Sequence, residues 1–575
     1  MTVLDWFIEP FALGFQQRAL LGGILAGLMC AVVGTWLVLR GMSFFGDAFV
    51  HGVVPGIAAA VVLDVNPALG AAVAAAVMVA GIEIVSRQTR LTEDTAIGLL
   101  FVGMLALGVV IISSVDSYTG SLTTILFGDA LGVTQADLVQ QAVLAGGVIV
   151  ASIVMYRPFL ALSFNRQKAE LLGMFPGRAH AVLLVLIAAA VIGSFQSVGT
   201  LLVFGLLVGP PATAALVVRT VPRMMVVAAA LSVVSVWLGL LLSYHLGTAG
   251  SATMALIPIV AFFLTLSWTT LRARRTTFPN QADTTLAQRE ATTASGASAV
   301  APGHARNGVD WGGSLLAEAS DVVLRYGSHT ALAKSSFTIP IDAVTAVIGP
   351  NGSGKSTLLH ALAGLVPVSE GRLQVLGREP RQARAGISYV LQSTVVPHST
   401  PITVREAVGM GRYPSVGFFR RFTSTDRARV TDAMRRMEVE DLAGRHLHEL
   451  SGGQRQRVYV AQGLAQDHRV MLLDEPLTGL DIVSARTIDR LIHGDGPEGR
   501  TVVLTTHDLE EARAADHVIL VSGRVVADGP PASVCKRHNI EEAFGLGGLH
   551  GWEGFLDDPA HDPHHERPDT AGRQK

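Results

Sequence analysis

Residues 349 to 356 read Gly349-Pro350-Asn351-Gly352-Ser353-Gly354-Lys355-Ser356, and this octet decides how the second half of the chain folds. It fits G-x-x-x-x-G-K-[ST], in which glycines let backbone N–H groups close on phosphate oxygens, the lysine reaches the terminal phosphates and the hydroxyl ligates Mg²⁺. Thr345-Ala-Val-Ile348 before it reads as a buried strand, and Thr357-Leu-Leu-His-Ala-Leu362 after it as a helix. Strand, loop and helix in that order set a helix N-terminus on the phosphates. Gly349 through Thr357 are therefore assigned to the nucleotide, with Lys355 on its terminal phosphates and Ser356 on Mg²⁺.

Two further stretches supply the rest of a nucleotide site. Val470-Met-Leu-Leu-Asp-Glu475 is an apolar strand ending in two carboxylates, so Asp474 is placed to hold the Mg²⁺ shell and Glu475 to polarise an attacking water. Leu450-Ser-Gly-Gly-Gln454 precedes a helix read as beginning at Gln454. Its free N–H groups at a helix N-terminus suit a γ-phosphate. With Gln392, Thr478-Gly-Leu-Asp481 and His507 in the same order, these segments resemble the ATP-binding cassette (ABC) ATPases. The resemblance implies an α/β P-loop domain with a helical subdomain that hydrolyses ATP. It makes Gln392 a Q-loop residue that contacts Mg²⁺ and the catalytic centre, and Asp481 a D-loop residue. It also makes His507 the switch histidine on the γ-phosphate and Tyr326 the aromatic stacked on adenine. Ser451, Gly452, Gly453 and Gln454 then contact the nucleotide held by another subunit.

The first half of the 575-residue chain has the opposite character. Apolar runs long enough for a hydrocarbon core of about 30 Å recur near 18–39, 48–64, 66–86, 95–115, 138–156, 179–195, 197–218, 224–246 and 252–271. They predict a polytopic α-helical membrane domain of about nine spans over residues 1–271. Only ten lysines and arginines fall in that stretch: Arg18, Arg40, Arg87, Arg90, Arg157, Arg166, Lys168, Arg178, Arg219 and Arg223. With the ATPase on the side that holds ATP, nine spans put every one of them except Arg18 on the cytoplasmic side, as the positive-inside rule asks. An even count disturbs that pattern. The start, Met1 to Glu9, lacks the basic region of a cleavable signal peptide, so no processing is expected. The net charge of −2 says little about partners, and no nucleic-acid partner is indicated. Cys30 and Cys535 are the only cysteines and give no basis for a disulfide framework.

In the membrane half, Met42-Ser-Phe-Phe-Gly-Asp-Ala-Phe-Val-His-Gly-Val-Val-Pro-Gly-Ile57, Leu91-Thr-Glu-Asp-Thr-Ala-Ile-Gly98 and Ile125-Leu-Phe-Gly-Asp-Ala-Leu-Gly132 are similar to segments of the permeases of manganese, zinc and iron ABC importers. So are Val198-Gly-Thr-Leu-Leu and Gly209-Pro-Pro-Ala-Thr-Ala214. In the ATPase half, Pro401-Ile-Thr-Val404 and Met410-Gly-Arg-Tyr413 resemble their partner ATPases. The resemblance implies ATP-driven import of Mn²⁺, Zn²⁺ or Fe²⁺ across the plasma membrane by a homodimer of fused chains. It also implies a separate extracytoplasmic metal-binding protein, docked on an outer surface that includes Asp116 to Asp137. Import of a metal chelate such as a siderophore, haem or cobalamin is the alternative. An exporter fits less well because the loops are short.

Ionisable residues at membrane depth are functional candidates because they are costly there. Asp47 and His51 stand one helical turn apart in a glycine- and proline-interrupted stretch, so on a regular helix both can reach one cation. Carboxylate and imidazole suit Zn²⁺, Mn²⁺ or Fe²⁺ without choosing among them. Alternatively, Asp47 caps a helix at the membrane edge and His51 packs in a polar seam. Glu83, His180 and His245 are weaker candidates. The loop Arg157 to Gly173 reads as a coupling helix that docks near Gln392, or otherwise as an interfacial helix on lipid headgroups. Residues 272–315 read as a flexible linker, 316–544 as the ATPase domain, and 545–575 as a disordered histidine-containing tail.

Overall fold

The computed structural model describes residues 3–88, 93–113, 132–198, 200–276, 315–392, 400–494 and 500–545. The chain separates into two compact units, residues 1–299 with 393–467 and residues 300–392 with 468–575.

The first unit is helical, because apolar stretches bounded by lipid must satisfy every backbone polar group within themselves. Among the described residues, six helical stretches are long and apolar enough to cross a membrane: Gly14–Leu39, Ser43–Val62, Gln135–Val154, Pro176–Phe195, Val221–Leu246 and Gly250–Arg272. Shorter apolar helical stretches, Pro67–Ile82, Thr95–Ile111 and Val203–Ala215, lie where the three other spans are expected. The expected span 48–64 starts earlier and is broken in two, Ser43–Gly52 and Val54–Val62, with Pro55 in the first turn of the second piece. A proline there has no N–H to offer the turn before it, so the ladder ends at that point.

Lipid supplies no hydrophobic drive between helices, so close backbone approach at small residues holds them together. A Cβ on Gly56 would sit 2.0 Å from the carbonyl oxygen of Gly70, and one on Gly70 2.1 Å from that of Gly56. The helices Val54–Val62 and Pro67–Gln88 therefore meet backbone to backbone. A Cβ on Gly34 would likewise lie 1.7 Å from the Leu207 carbonyl oxygen. A short N-terminal helix, Val3–Ile8, is an element the hydropathy pattern did not announce. Its Trp6 stacks on His245 with ring centroids 4.3 Å apart, and His245 Nε2 donates to the Trp6 carbonyl oxygen at 2.9 Å.

The same unit contains a helical segment from the soluble half. Its helices Val404–Gly409, Ser424–Arg436 and Gly452–Leu464 each begin with a capping box, at Thr403 with Glu406, Thr423 with Asp426, and Ser451 with Gln454. Buried Arg412 ties them together. It donates to Asp426 at 3.1 Å and to the carbonyls of Ala465 and Gln466 at 2.9 and 3.2 Å.

The second unit holds two sheets. Strands β1 (Leu315–Tyr326), β2 (His329–Pro340) and β4 (Val368–Val375) form an antiparallel sheet in the order β2-β1-β4. Strands β3 (Val344–Ile348), β5 (Ile387–Val390), β6 (Val470–Asp474), β7 (Thr501–Thr506), β8 (His517–Val521) and β9 (Val525–Gly529) form a second sheet in the order β5-β6-β7-β3-β8-β9. It is parallel except for the β8–β9 pair. β5, β6, β7 and β8 are buried at every position, as strands covered on both faces are. The carboxyl ends of β3, β6 and β7 lie side by side, and in open sheets of this kind ligands bind at that edge.

Candidate functional site

The loop after β3 needs backbone shapes that only glycine adopts readily. Gly349, Gly352 and Gly354 have φ of 155°, 78° and 105°. A Cβ on Gly349 would meet the Val521 carbonyl oxygen at 2.0 Å, and one on Gly354 the Ala331 carbonyl oxygen at 2.7 Å. The loop runs into the helix Lys355–Leu362. Lys355 is buried and folds back on the loop, where its Nζ donates to the carbonyls of Gly349 and Pro350 at 2.8 and 3.0 Å. Burial lowers its pKa, and the carboxylates of Glu475 and Asp474 act in the opposite sense.

Asp474 is the hub of this edge. Its Oδ1 accepts from Ser356 Oγ at 3.0 Å and from Thr505 Oγ1 at 2.7 Å, and its Oδ2 accepts from Tyr389 OH at 3.3 Å. Glu475 follows with φ of 46°, a left-handed conformation that a non-glycine residue takes at a cost of about 1–3 kcal/mol. Its N–H donates to Thr505 Oγ1 at 2.8 Å, and its Oε2 accepts from Gln392 Nε2 at 2.6 Å. The structure thus brings Ser356, Gln392, Asp474 and Glu475 together. Half-exposed Tyr326 ends β1 and hydrogen-bonds His360 Nδ1 at 3.1 Å. Asp481 caps the helix Ile482–His493 through Ser484, whose N–H lies 2.9 Å away. His507 directly follows β7 and is exposed.

Sequence reasoning missed Thr505, Tyr389 and His360. Thr505 pairs with Asp474 across the β6–β7 register, and its hydroxyl orients both carboxylate residues. The His360 and Tyr389 rings meet edge to face at 5.7 Å. Burial raises the Tyr389 pKa, and Asp474 adds to that rise, so the phenol stays a donor.

The segment Ser451-Gly-Gly-Gln454 lies in the first unit. The helix starts at Gly452, two residues before the expected Gln454, because Ser451 takes the capping role. Ser451 Oγ accepts the Gln454 N–H at 3.2 Å, and Gln454 Oε1 accepts the Ser451 N–H at 3.2 Å. Ser451 and Gly452 are exposed.

In the membrane helices, Asp47 and His51 sit on Ser43–Gly52 with Oδ1 and Nε2 3.7 Å apart. Both side chains are partly accessible, at 37% and 21% of full exposure. His180 Nδ1 lies 2.7 Å from an Arg40 guanidinium nitrogen, and His245 is held by Trp6. The Glu83 side chain and Asp116 lie outside the described residues, as do 277–314 and 546–575.

The Arg157–Gly173 loop folds as two short helices, Tyr156–Phe164 and Arg166–Leu171, with Gly173 left-handed at φ 69°. It meets the helical segment downstream of Gln392. Arg157 donates to the carbonyls of Gly417 and Arg420 and lies 5.5 Å from the ring centroids of both Tyr413 and Phe422. Phe164 packs edge-on against Tyr459 at 6.0 Å. Lys168 is buried, and desolvation brings its pKa down to about 7. A second loop between membrane helices supplies the Arg219 carbonyl, which His446 Nε2 reaches at 3.0 Å.

Comparison with known proteins joins these observations. The ABC 3 transport family matches residues 12–269, and the ABC transporter family matches residues 332–478. The manganese transport system membrane protein MntC of Listeria innocua is 36% identical over 251 residues, 44% of this chain and 89% of that protein. The chelated iron transport system membrane protein YfeD of Yersinia pestis is 34% identical over 258 residues, 45% of this chain and 86% of that one. The zinc transport system ATP-binding protein TroB of Treponema pallidum is 35% identical over 229 residues, 40% of this chain and 86% of that protein. The membrane-protein relatives and the ATP-binding relative each match less than half of this chain, which contains both parts in one polypeptide.

Two outcomes follow from this geometry. Glu475→Gln keeps shape and the Gln392 contact but loses basicity, so ATP binding should persist while hydrolysis falls by about 10²-fold or more. Nucleotide binding and phosphate release on the same preparation check this, and near wild-type turnover would refute the carboxylate's role. Arg157→Ala removes a guanidinium set between two rings and two carbonyls. Transport per ATP hydrolysed in proteoliposomes should drop several-fold while ATPase activity remains, whereas an unchanged ratio would mean that this contact transmits nothing.

Proposed function

We propose that this chain, which belongs to the ABC 3 transport family and carries its own ABC ATPase, imports a divalent transition-metal cation, Mn²⁺, Zn²⁺ or Fe²⁺. It is a multi-pass membrane protein whose ATPase couples ATP hydrolysis to transport. The observation that carries the reading of the cargo is the Asp47–His51 pair, 3.7 Å apart and ending at a helix break at Val53. An oxygen and an imidazole nitrogen on one face suit such cations, and a broken span is where transporters place ligands. The relatives named for manganese, zinc and chelated iron support the same class of cargo.

On the ATP side, Lys355 and the loop amides bind the phosphates. The oxygens of Ser356, Asp474 and Gln392 are hard donors of the kind Mg²⁺ takes. When bound, Mg²⁺ offsets charge on the phosphates. Glu475 takes the proton of the attacking water, and Thr505 holds its backbone in place. The ATPase works in the cytoplasm in this reading, and the positive-inside rule supports it, since nine spans would leave nine of the ten basic residues of the membrane half on that side.

One chain has one phosphate loop and one Ser451-Gly-Gly turn, and that turn is exposed. Two chains on a two-fold axis complete two composite ATP sites. A separate extracytoplasmic protein delivers the metal.

Asp47→Asn and His51→Ala should each abolish metal uptake into proteoliposomes while leaving melting temperature and basal ATPase activity nearly unchanged. Normal uptake in both variants would end the assignment, and a fallen melting temperature with normal uptake per folded molecule would reveal a structural role. For the dimer, inactive Lys355→Ala chains co-expressed with inactive Ser451→Arg chains should regain one occluded ATP per mixed dimer. Failure of mixed dimers to occlude any nucleotide would argue against composite sites.

A further inference from the structure

Among the described residues outside the sites above, His446, His448 and Glu449 form a group whose ligand atoms all lie within 4.8 Å of one another. His446 is buried, and the other two are exposed. The local backbone explains the juxtaposition. Leu447–Glu449 is a 3₁₀ turn, and with three residues per turn positions i and i+3 eclipse. His446 and Glu449 therefore share a face, and the His448 ring meets the His446 ring at 5.1 Å between centroids. The turn is pinned from outside as well. Thr403 bridges to His446, and the Leu447 N–H donates to the Ile402 carbonyl at 3.2 Å.

The three groups are of the types that make transition-metal sites. The Arg219 carbonyl can only accept, so the hydrogen of His446 is on Nε2 and the lone pair is on Nδ1, where the capping box at this turn sets it to receive the Glu449 backbone N–H, a bond that a cation would have to displace. A backbone carbonyl that fixes the tautomer of a ligating histidine is the usual outer-shell arrangement. Two imidazoles and a carboxylate, completed by water, suit Zn²⁺, Fe²⁺ or Mn²⁺. Bonds of about 2.0–2.1 Å in a tetrahedron put ligand atoms about 3.3 Å apart, closer than the spacing of up to 4.8 Å seen here, so binding requires the exposed His448 and Glu449 side chains to move toward His446.

The position gives such a site a consequence. His446 touches the loop that joins two membrane helices, and Glu449 lies two residues before Ser451. Glu449 Oε2 also accepts the His446 N–H at 3.1 Å, as part of a capping box. A bound cation competes with that box and shifts the turn between the membrane loop and the exposed Ser451-Gly-Gly segment. We propose that His446, His448 and Glu449 bind a divalent transition-metal ion on the ATP side, and that its binding slows ATP hydrolysis. This rests on the reading of the chain as a metal transporter and adds feedback by the imported ion.

The test uses the full-length chain carrying Asp47→Asn and His51→Ala, so that the proposed transport ligands do not contribute. Co²⁺ titration, followed by visible absorption, should give one histidine-ligated ion per chain beyond that seen after adding His448→Ala. Competition by Zn²⁺, Mn²⁺ and Fe²⁺ ranks the natural ions. His448→Ala should weaken binding at least tenfold, and Glu449→Gln, which keeps a capping oxygen, should weaken it by less. In the chain with native Asp47 and His51, buffered free metal should lower ATPase activity several-fold, and His448→Ala should abolish that inhibition without changing the metal-free rate. Equal Co²⁺ binding with and without His448→Ala overturns the site, and binding without inhibition overturns its regulatory role. Failure of Asp47→Asn to affect uptake bears only on the transport ligands, because this site is measured without them.

Discussion

Asp474 is the point on which the nucleotide side of this protein depends. A carboxylate at the end of an apolar strand is stable there only if its oxygens are hydrogen-bonded, and three hydroxyls from three different elements meet it. Ser356 comes from the phosphate loop, Thr505 from β7 and Tyr389 from β5. Each contact fixes one neighbour of the reacting phosphates relative to the others. Thr505 has a second duty, because it receives the Glu475 N–H and holds that residue in its left-handed conformation. Asp474 and Glu475, the proposed metal ligand and base, are thus both held by one hydroxyl, and Gln392 hydrogen-bonds Glu475 at the same point.

The membrane helices obey a different constraint. With no hydrophobic drive in lipid, their order comes from contacts in which a methyl group would collide with backbone, as at Gly56 with Gly70 and at Gly34 with Leu207. Such contacts have little slack, so a push at one end of a helix moves it as a body. Arg157 is the point where the proposed coupling would deliver such a push: cation–π contacts of about 0.5–2 kcal/mol each combine there with bonds to the Gly417 and Arg420 carbonyls. That the helical segment from residue 400 to 467 groups with the membrane helices follows from these contacts together with those of Phe164 and His446.

What the sequence revealed divides along the range of the interactions. The phosphate loop, the Asp474-Glu475 pair and the Ser451 turn depend on neighbours within a few residues; the first was legible from its pattern and context, and the other two from the residues together with their resemblance to ABC ATPases. Thr505, Tyr389 and His360 belong to the site through strand register and sheet order, which link positions tens of residues apart and leave no local signature. The helix at Ser451 began two residues early because a capping box outweighed the low helix propensity of Gly452 and Gly453. The break at Val53 was foreshadowed by Pro55, but hydropathy averages across it, and the short Val3–Ile8 helix was invisible to a search for long apolar runs.

The two histidine-and-carboxylate groups show how context divides similar chemistry. Asp47 and His51 lie on a regular helix, where a four-residue spacing gives one turn of separation and a pair within 3.7 Å. His446 and Glu449 lie on a 3₁₀ turn, where the three-residue spacing does the same work and the neighbouring histidine is brought in as a third donor. The first pair stands beside a broken membrane helix, and under the proposed transport role two ligands would leave room for a moving cation to exchange partners. The second has three donors on a turn pinned to Thr403, Ile402 and Arg219, which favours retention over passage. A transporter needs weak, incomplete coordination along its path, whereas a sensor needs fuller coordination off it. The two proposed sites would meet those needs with the same kinds of side chain at two spacings, four residues on a helix and three on a tighter turn.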